Sequence, residues 1–125
     1  MELNLSSTKA TKIALHQDKL VELSESAFGF KVGFSDEDLY LFVVIFMLKI
    51  TDKDENYQLE VDYEAIFRTK EIINEDFKNS NFPKINAPAI AFPYFRAFIS
   101  TITQQAGYQT IVLPTFNFSQ MMKEK

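Results

Sequence analysis

The 125-residue chain has no cysteine, no tryptophan and a single histidine, and these absences limit its chemistry. Without cysteine it can form neither disulfides nor a thiolate metal site, which is typical of proteins in a reducing compartment. His16 is the one imidazole that could act as a base for a nucleophile, and it lies among charged residues on a predicted strand. No glycine-rich loop precedes a predicted helix, so the phosphate-cradling motifs are missing. We therefore expect neither an enzyme nor a bound cofactor.

The acidic residues do not build a calcium loop either. Asp52, Asp54 and Asn56 have the spacing of the first three EF-hand ligands. Tyr57 stands where that loop needs glycine, however, and Tyr63 stands where it needs a bidentate glutamate. We expect a polar hairpin turn here and no metal site.

Charge and hydropathy exclude two further kinds of partner. A net charge of −4 and a pI of about 5.0 are opposite to the basic surface that nucleic-acid binding needs. Residues 1–12 contain no apolar segment like that of a signal peptide, and the longest apolar run, over 39–48, is too short to span a bilayer as a helix. We expect a cytoplasmic protein that binds no nucleic acid and does not insert into a membrane.

Charge almost disappears late in the chain, where Arg96 is the one charged side chain between Ile85 and Met122. Apolar residues recur there at helical spacing, which predicts a helix with a broad apolar face. Pro93 suits the first turn and Gly107 suits the position after the end, so we expect a helix over 93–106. One subunit can hardly cover this face, so we assign it to an oligomer interface. The predicted interface residues are Tyr94, Phe95, Phe98, Ile99 and Ile102.

Four segments before this helix alternate in the way that strands do. They lie at 13–23, 27–35, 38–51 and 57–67. Together with thirteen phenylalanines they predict a single α+β domain over 1–125 with a phenylalanine-rich core. Its order is a four-stranded antiparallel sheet, a long helix, a proline-containing loop and a short C-terminal helix.

The first and third of these strands depart from a simple alternation of buried and exposed residues. In the first, Ile13, Leu15, Val21 and Leu23 alternate with polar residues, which predicts a half-buried strand. The alternation fails at Gln17 and Lys19, so we expect a bulge there. Residues 1–8 are polar and small, and we expect them to be frayed. The third is apolar on both faces and needs cover on both, which another subunit would supply most easily.

Side chains on the second and fourth strands have a candidate binding role. Phe28 and Phe34 share one face of the second strand, where they are either core or binding residues. Glu60, Asp62 and Glu64 share the outward face of the fourth strand. Such a stripe is either a solvated strand face or a docking site for a basic partner.

The uncharged segment also carries two motifs of a known family. The helix motif is Phe92-Pro93-Tyr94-Phe95-Arg96, followed by Ile99 and Gly107, and the loop motif is Leu113-Pro114-Thr115-Phe116-Asn117-Phe118. Together they resemble the F-P-Y-A-R-x-x-I … G … L-A-P-V-N-F signature of the SecB family of protein-export chaperones. Pro114 is one position earlier than the family proline, and Phe116 replaces a valine.

The resemblance implies a function and a set of partners. Family members are homotetramers, dimers of dimers, that bind unfolded polypeptides in an apolar groove and deliver them to the SecA motor. Carried onto this chain, the client-binding residues are Tyr108, Ile111, Leu113, Phe116 and Phe118, to which the strand pattern adds Phe28 and Phe34. The SecA-docking acid matches Glu60, with Asp62 and Glu64 beside it. We expect no need for ATP, because the chain has no nucleotide motif.

Two alternatives stay open. The longer second helix and tail with which many family members bind SecA have no counterpart before Lys125, so a SecB-like chaperone dedicated to one client, such as an antitoxin, is the first alternative. The second is a structural oligomerisation module without a client groove. The two classes differ in whether the aromatic residues over 108–118 stay exposed in the oligomer.

Overall fold

The computed structural model describes residues 3–17 and 25–123. The strands are β1 (Leu3–His16), β2 (Ala27–Phe34), β3 (Leu41–Asp52) and β4 (Tyr57–Thr69). The helices are α1 (Glu75–Lys78), α2 (Ala87–Gln105) and α3 (Phe118–Lys123), with a π-helical turn over Phe82–Asn86 before α2. The strands pair antiparallel in the order β1-β4-β3-β2, which confirms the predicted α+β fold. None of the helices in these two ranges has the length and hydrophobicity needed to cross a membrane.

The core lies on the face of the sheet that α2 covers. Phe42 and Phe46 of β3 and Phe67 of β4 point to this face and have no exposed surface. From α2, Phe95 stacks on Phe46 with 5.2 Å between ring centroids, and Ile99 is fully buried one turn later. The predicted phenylalanine-rich core is confirmed.

The opposite face of the sheet is only half-covered. Leu41, Val43, Ile45 and Met47 of β3 point outward there and are of intermediate exposure. The expectation that this strand is apolar on both faces is confirmed, and its outer face is left without a cover by the described residues.

The first strand differs from its prediction. It begins at Leu3, so the described part of the segment expected to be frayed, residues 3–8, belongs to a strand paired with β4. The register shifts lie nearer the start of the chain than Gln17. Ile13 and Leu15 are 52% and 36% exposed at this edge of the sheet. The predicted continuation over 21–23 lies outside the described residues.

The long helix also begins earlier than expected. It starts at Ala87, with Pro88 in its first turn, and Pro93 is therefore inside it. A proline there removes the hydrogen bond to the carbonyl of Ala89. Both residues are on the exposed side, where water can replace that bond, so the helix continues. The predicted end is confirmed, since Gly107 follows it with φ 97°.

Candidate functional site

After Gly107, the chain turns back and runs along α2 as an extended loop over 108–117. Ser100 Oγ donates a hydrogen bond to the Ile111 carbonyl at 2.8 Å. Thr103 Oγ1, which is fully buried, donates to the Ile99 carbonyl at 2.9 Å and accepts from the Ile111 amide at 3.1 Å. These side-chain bonds replace the strand partners that the loop lacks and fix its middle to the helix.

The turn between β3 and β4 holds the first residues of this loop. Tyr108 stacks on Tyr57 with 3.9 Å between ring centroids, and the Gln109 amide donates to Glu55 Oε1 at 2.9 Å. Burial, reinforced by the charges of Asp52 and Glu55, raises the pKa of Tyr57 to about 12. These contacts hold the first residues of the loop against the start of β4 and leave no open groove there among the described residues.

Aromatic packing holds the last residues of the loop. Phe116 stacks on Phe28 with 4.4 Å between ring centroids and meets the ring of Phe92 edge-on at 5.3 Å. Leu113 and Phe118 are each 5% exposed and belong to the core. Phe116 is of intermediate exposure and leaves part of its ring open.

Around the last residues of the loop, the chain and the first half of α2 leave two adjoining hollows of about 420 and 200 Å³. We call them together the α2 groove. Their shared lining is Ala89, Thr115, Phe116 and Phe118, and the remaining lining residues are Ile85, Phe92, Pro93, Arg96, Asn117 and Ser119. Arg96 is the one charged residue of this lining, so the groove offers apolar surface and few fixed hydrogen-bonding demands.

The seven predicted client-binding residues fall into four places. Phe116 and Phe118 line the α2 groove, and Phe28 supports Phe116 from the sheet. Tyr108 and Ile111 are half-buried nearer the other end of the loop. Leu113 faces the core and Phe34 lies in a different hollow beside Lys78. The structure therefore brings three of the seven together at the α2 groove, and the client-binding role of all seven stays a prediction.

The sequence pattern missed the small residues that open the groove. Ala89 and Thr115 are exposed, and both line the two hollows. The groove is open at these positions because both side chains are short. A search for large apolar residues at regular spacing does not detect such positions. The spacing of Ala89 and Pro93, one helical turn apart on one side of α2, was the available signal.

The five residues of the predicted oligomer interface differ in burial. Phe95 and Ile99 have no exposed surface in the single chain, because they pack on its own sheet. Phe98 and Ile102 are half-buried, and Tyr94 is 54% exposed. The side of α2 that points away from the sheet is instead formed by Ile90, Tyr94, Ala97 and Thr101, all exposed and uncharged.

The acidic stripe lies on the outer face of the sheet, as predicted, but lysines accompany it. Lys12 Nζ is 3.0 Å from Glu60 Oε2. This hydrogen bond and charge lower the pKa of Glu60, and the same contact raises the pKa of Lys12. Lys49 is paired with Glu60 in the register of β3, and Lys9 is paired with Glu64 in that of β1. The stripe is therefore a surface of mixed charge.

The sequence matches one protein family and several curated proteins. The family model described as "Preprotein translocase subunit SecB" matches residues 5–125. Protein-export protein SecB of Rickettsia akari is 29% identical over 94 residues, which cover 73% of this chain and 59% of that protein. An uncharacterized protein of Methanocaldococcus jannaschii is 47% identical over 53 residues, which cover 42% of this chain and 34% of that protein. The chain thus spans less than two thirds of the length of these curated relatives.

Solved structures share the fold at low sequence identity. The SecB-like chaperone Rv1957 of Mycobacterium tuberculosis, in complex with a ChAD peptide from the Rv1956 HigA1 antitoxin, superimposes with a TM-score of 0.67 at 12% identity, covering 91% of this chain and 87% of that one. A protein of unknown function from Streptococcus agalactiae has a TM-score of 0.64 at 14% identity, covering 92% and 98%. With the family model matching almost the whole sequence, the chain belongs to the SecB family.

Proposed function

We propose that this protein is a chaperone that holds unfolded polypeptide segments in the α2 groove without using ATP. The observation that carries the proposal is the groove itself, whose lining is mainly apolar and contains a single charged residue. A protein that holds many sequences cannot rely on specific hydrogen bonds, because these would reject most clients. Apolar and aromatic area beside an extended loop meets that demand.

Family membership and one structural neighbour support the same proposal. The chain belongs to a family whose curated members include protein-export protein SecB. The neighbour from M. tuberculosis is a SecB-like chaperone in complex with a peptide from an antitoxin. By analogy, clients of this chain are either preproteins or one dedicated partner, and the groove accommodates either.

We also propose that the protein works as an oligomer, a dimer of dimers, assembled through the outward side of α2. Ile90 and Tyr94 are 43% and 54% exposed on this side, and no charged residue shares it except Arg96 at its margin. An exposed apolar helix face of this kind is typical of an interface. In such an oligomer, α2 grooves of neighbouring subunits would lie close to one another and could hold one long segment.

Docking of SecA at the acidic stripe is a further proposal that follows from family membership. Because Lys12 holds Glu60, a basic partner would have to displace that lysine. Asp62 and Glu64 then become the residues that meet the partner first. Changing both to lysine should slow association and reduce its salt dependence, which surface plasmon resonance at two salt concentrations would measure. Unchanged association rates would make the stripe an ordinary solvated surface.

Suppression of aggregation tests the central proposal. We expect the purified protein, at a near-stoichiometric ratio and without ATP, to suppress light scattering by a chemically unfolded, slowly folding substrate. Added ATP should change nothing. A protein that forms its oligomer but leaves the scattering unchanged would favour the structural module.

A further inference from the structure

A separate hollow of about 200 Å³ lies toward the end of β2 that is farther from the α2 groove. Its floor is apolar and its rim is basic. The floor is formed by Phe30, Val32, Phe34 and Met122, and the rim by Lys78 and Lys84. Lys31 also lines the hollow, but its side chain alternates to the outer face of the sheet, where its register partner Ile45 lies. We call it the lysine-rimmed hollow.

The lysines that line the hollow are little neutralised by the described residues. Lys78 Nζ lies 5.4 Å from the ring centroid of Phe34 and 3.4 Å from Glu75 Oε1, whose side chain is 83% exposed. Such an exposed pair is weak. Asp36 lines the neighbouring hollow that shares Phe34 and Lys78. Within 3–17 and 25–123, no ion pair of Lys31 or Lys84 is found, so the rim keeps a positive balance.

The hollow and the α2 groove are close enough to contact one extended segment. Phe118 of α3 lines the groove, and Met122 of the same helix lines the hollow. Residues four apart lie on the same side of a helix, about 6 Å from each other along its axis. A client in the groove therefore passes near the hollow within a few residues.

We propose that the lysine-rimmed hollow binds an apolar client side chain that has a glutamate or aspartate next to it. The apolar side chain would contact Val32, Phe34 and Met122, and the carboxylate would meet the ammonium groups of Lys78 and Lys84. The volume suits one side chain, since pockets for drug-sized ligands begin at about 300 Å³. This inference rests on the proposed function and adds a preference for acidic–apolar client segments.

Three labelled peptides of one apolar sequence test the preference. They differ only in the two residues that flank a central phenylalanine, which are glutamate, glutamine or lysine. We expect fluorescence anisotropy to give affinities in the order glutamate, glutamine, lysine, with about a tenfold range at low salt and a smaller one at high salt.

A double variant and a matched control assign the preference to the hollow. Lys78→Gln with Lys84→Gln should remove the glutamate preference and leave the glutamine peptide unchanged. The control, Lys9→Gln with Lys53→Gln, makes the same change in net charge at exposed sites outside the hollow and should keep the preference. Circular dichroism should show that both variants are folded.

Each other outcome overturns the inference in a recognisable way. If the glutamine peptide binds but glutamate adds nothing, or if both double variants lose the preference equally, the hollow is not an acidic subsite and the chaperone proposal stands. If none of the three peptides binds, the chaperone proposal fails as well. If a fluorescent fatty acid binds more tightly than the glutamate peptide and is lost in the Lys78/Lys84 variant, the hollow binds lipid carboxylates instead.

Discussion

Filling the α2 groove by a single substitution should abolish client binding without unfolding the chain. Ala89 is exposed, lies on α2 and lines both hollows of the groove. Ala89→Trp would place an indole ring where a client side chain is expected. The helix should tolerate it, because replacing alanine by tryptophan in a helix costs less than about 0.7 kcal/mol.

The expected change in affinity follows from the burial of one apolar client side chain, which the tryptophan prevents. An apolar side chain that no longer has a buried place loses about 1.5–3 kcal/mol of binding free energy. The dissociation constant of an uncharged apolar peptide should therefore rise by about 10- to 150-fold. Fluorescence anisotropy measures this change, and thermal unfolding followed by circular dichroism shows whether the fold survives.

A tryptophan elsewhere on the same helix provides the control. Gln105 is exposed at the end of α2 and does not line the groove, so Gln105→Trp should bind the peptide like the parent. If Ala89→Trp is folded and binds as tightly as Gln105→Trp, clients do not use this groove. If both variants lose binding equally, the loss has nothing to do with the groove.

Three further predictions concern stability and assembly. Burial raises the pKa of Tyr57 in the folded chain to about 12, from an ordinary value of 10.0. Its neutral hydroxyl therefore adds to the free energy of unfolding below pH 10, and this stability, on the order of 2 kcal/mol, is lost as the pH rises toward 12. Urea unfolding across this range should show the loss, and Tyr57→Phe should remove this pH dependence. Thr103→Val leaves the Ile111 amide of the loop without a partner and should lower the free energy of unfolding in urea by about 1–3 kcal/mol. Thr101→Val, on the exposed side of α2, should leave it nearly unchanged. Equal stability of the two variants would contradict the role of Thr103 in anchoring the loop. Ile99→Asp buries a charge and should unfold the chain, whereas Tyr94→Asp should leave it folded and dissociate the proposed oligomer, as measured by light scattering. If the Tyr94→Asp protein keeps the mass of the parent, the outward side of α2 is not the interface.

The sequence predicted the elements better than it predicted which surface each side chain would meet. Alternation over β3 and β4 identified both strands, and Gly107 identified the end of α2, because these are local signals. The start of α2 was missed since Pro88 and Pro93 both suit a first turn, and the choice depends on the packing of the preceding residues.

Neighbours distant in sequence explain the remaining errors. The apolar pattern of α2 could not distinguish residues buried against the chain's own sheet, such as Ile99, from residues open to a partner, such as Tyr94. The neutralisation of Glu60 by Lys12 depends on the register of β1 against β4, which contains two shifts. The opening of the α2 groove depends on the shortness of Ala89 and Thr115, which no apolar pattern marks.

Photo-crosslinking from inside the groove tests the central claim most directly. Thr115 is exposed and lines both hollows, so a benzophenone amino acid placed there should crosslink to an unfolded client. The same amino acid at Lys53, in the turn between β3 and β4, should not. Crosslinks at position 115 that disappear in the Ala89→Trp background are the predicted result. Equal crosslinking from both positions, or none from position 115 while aggregation is suppressed, would contradict binding in the α2 groove.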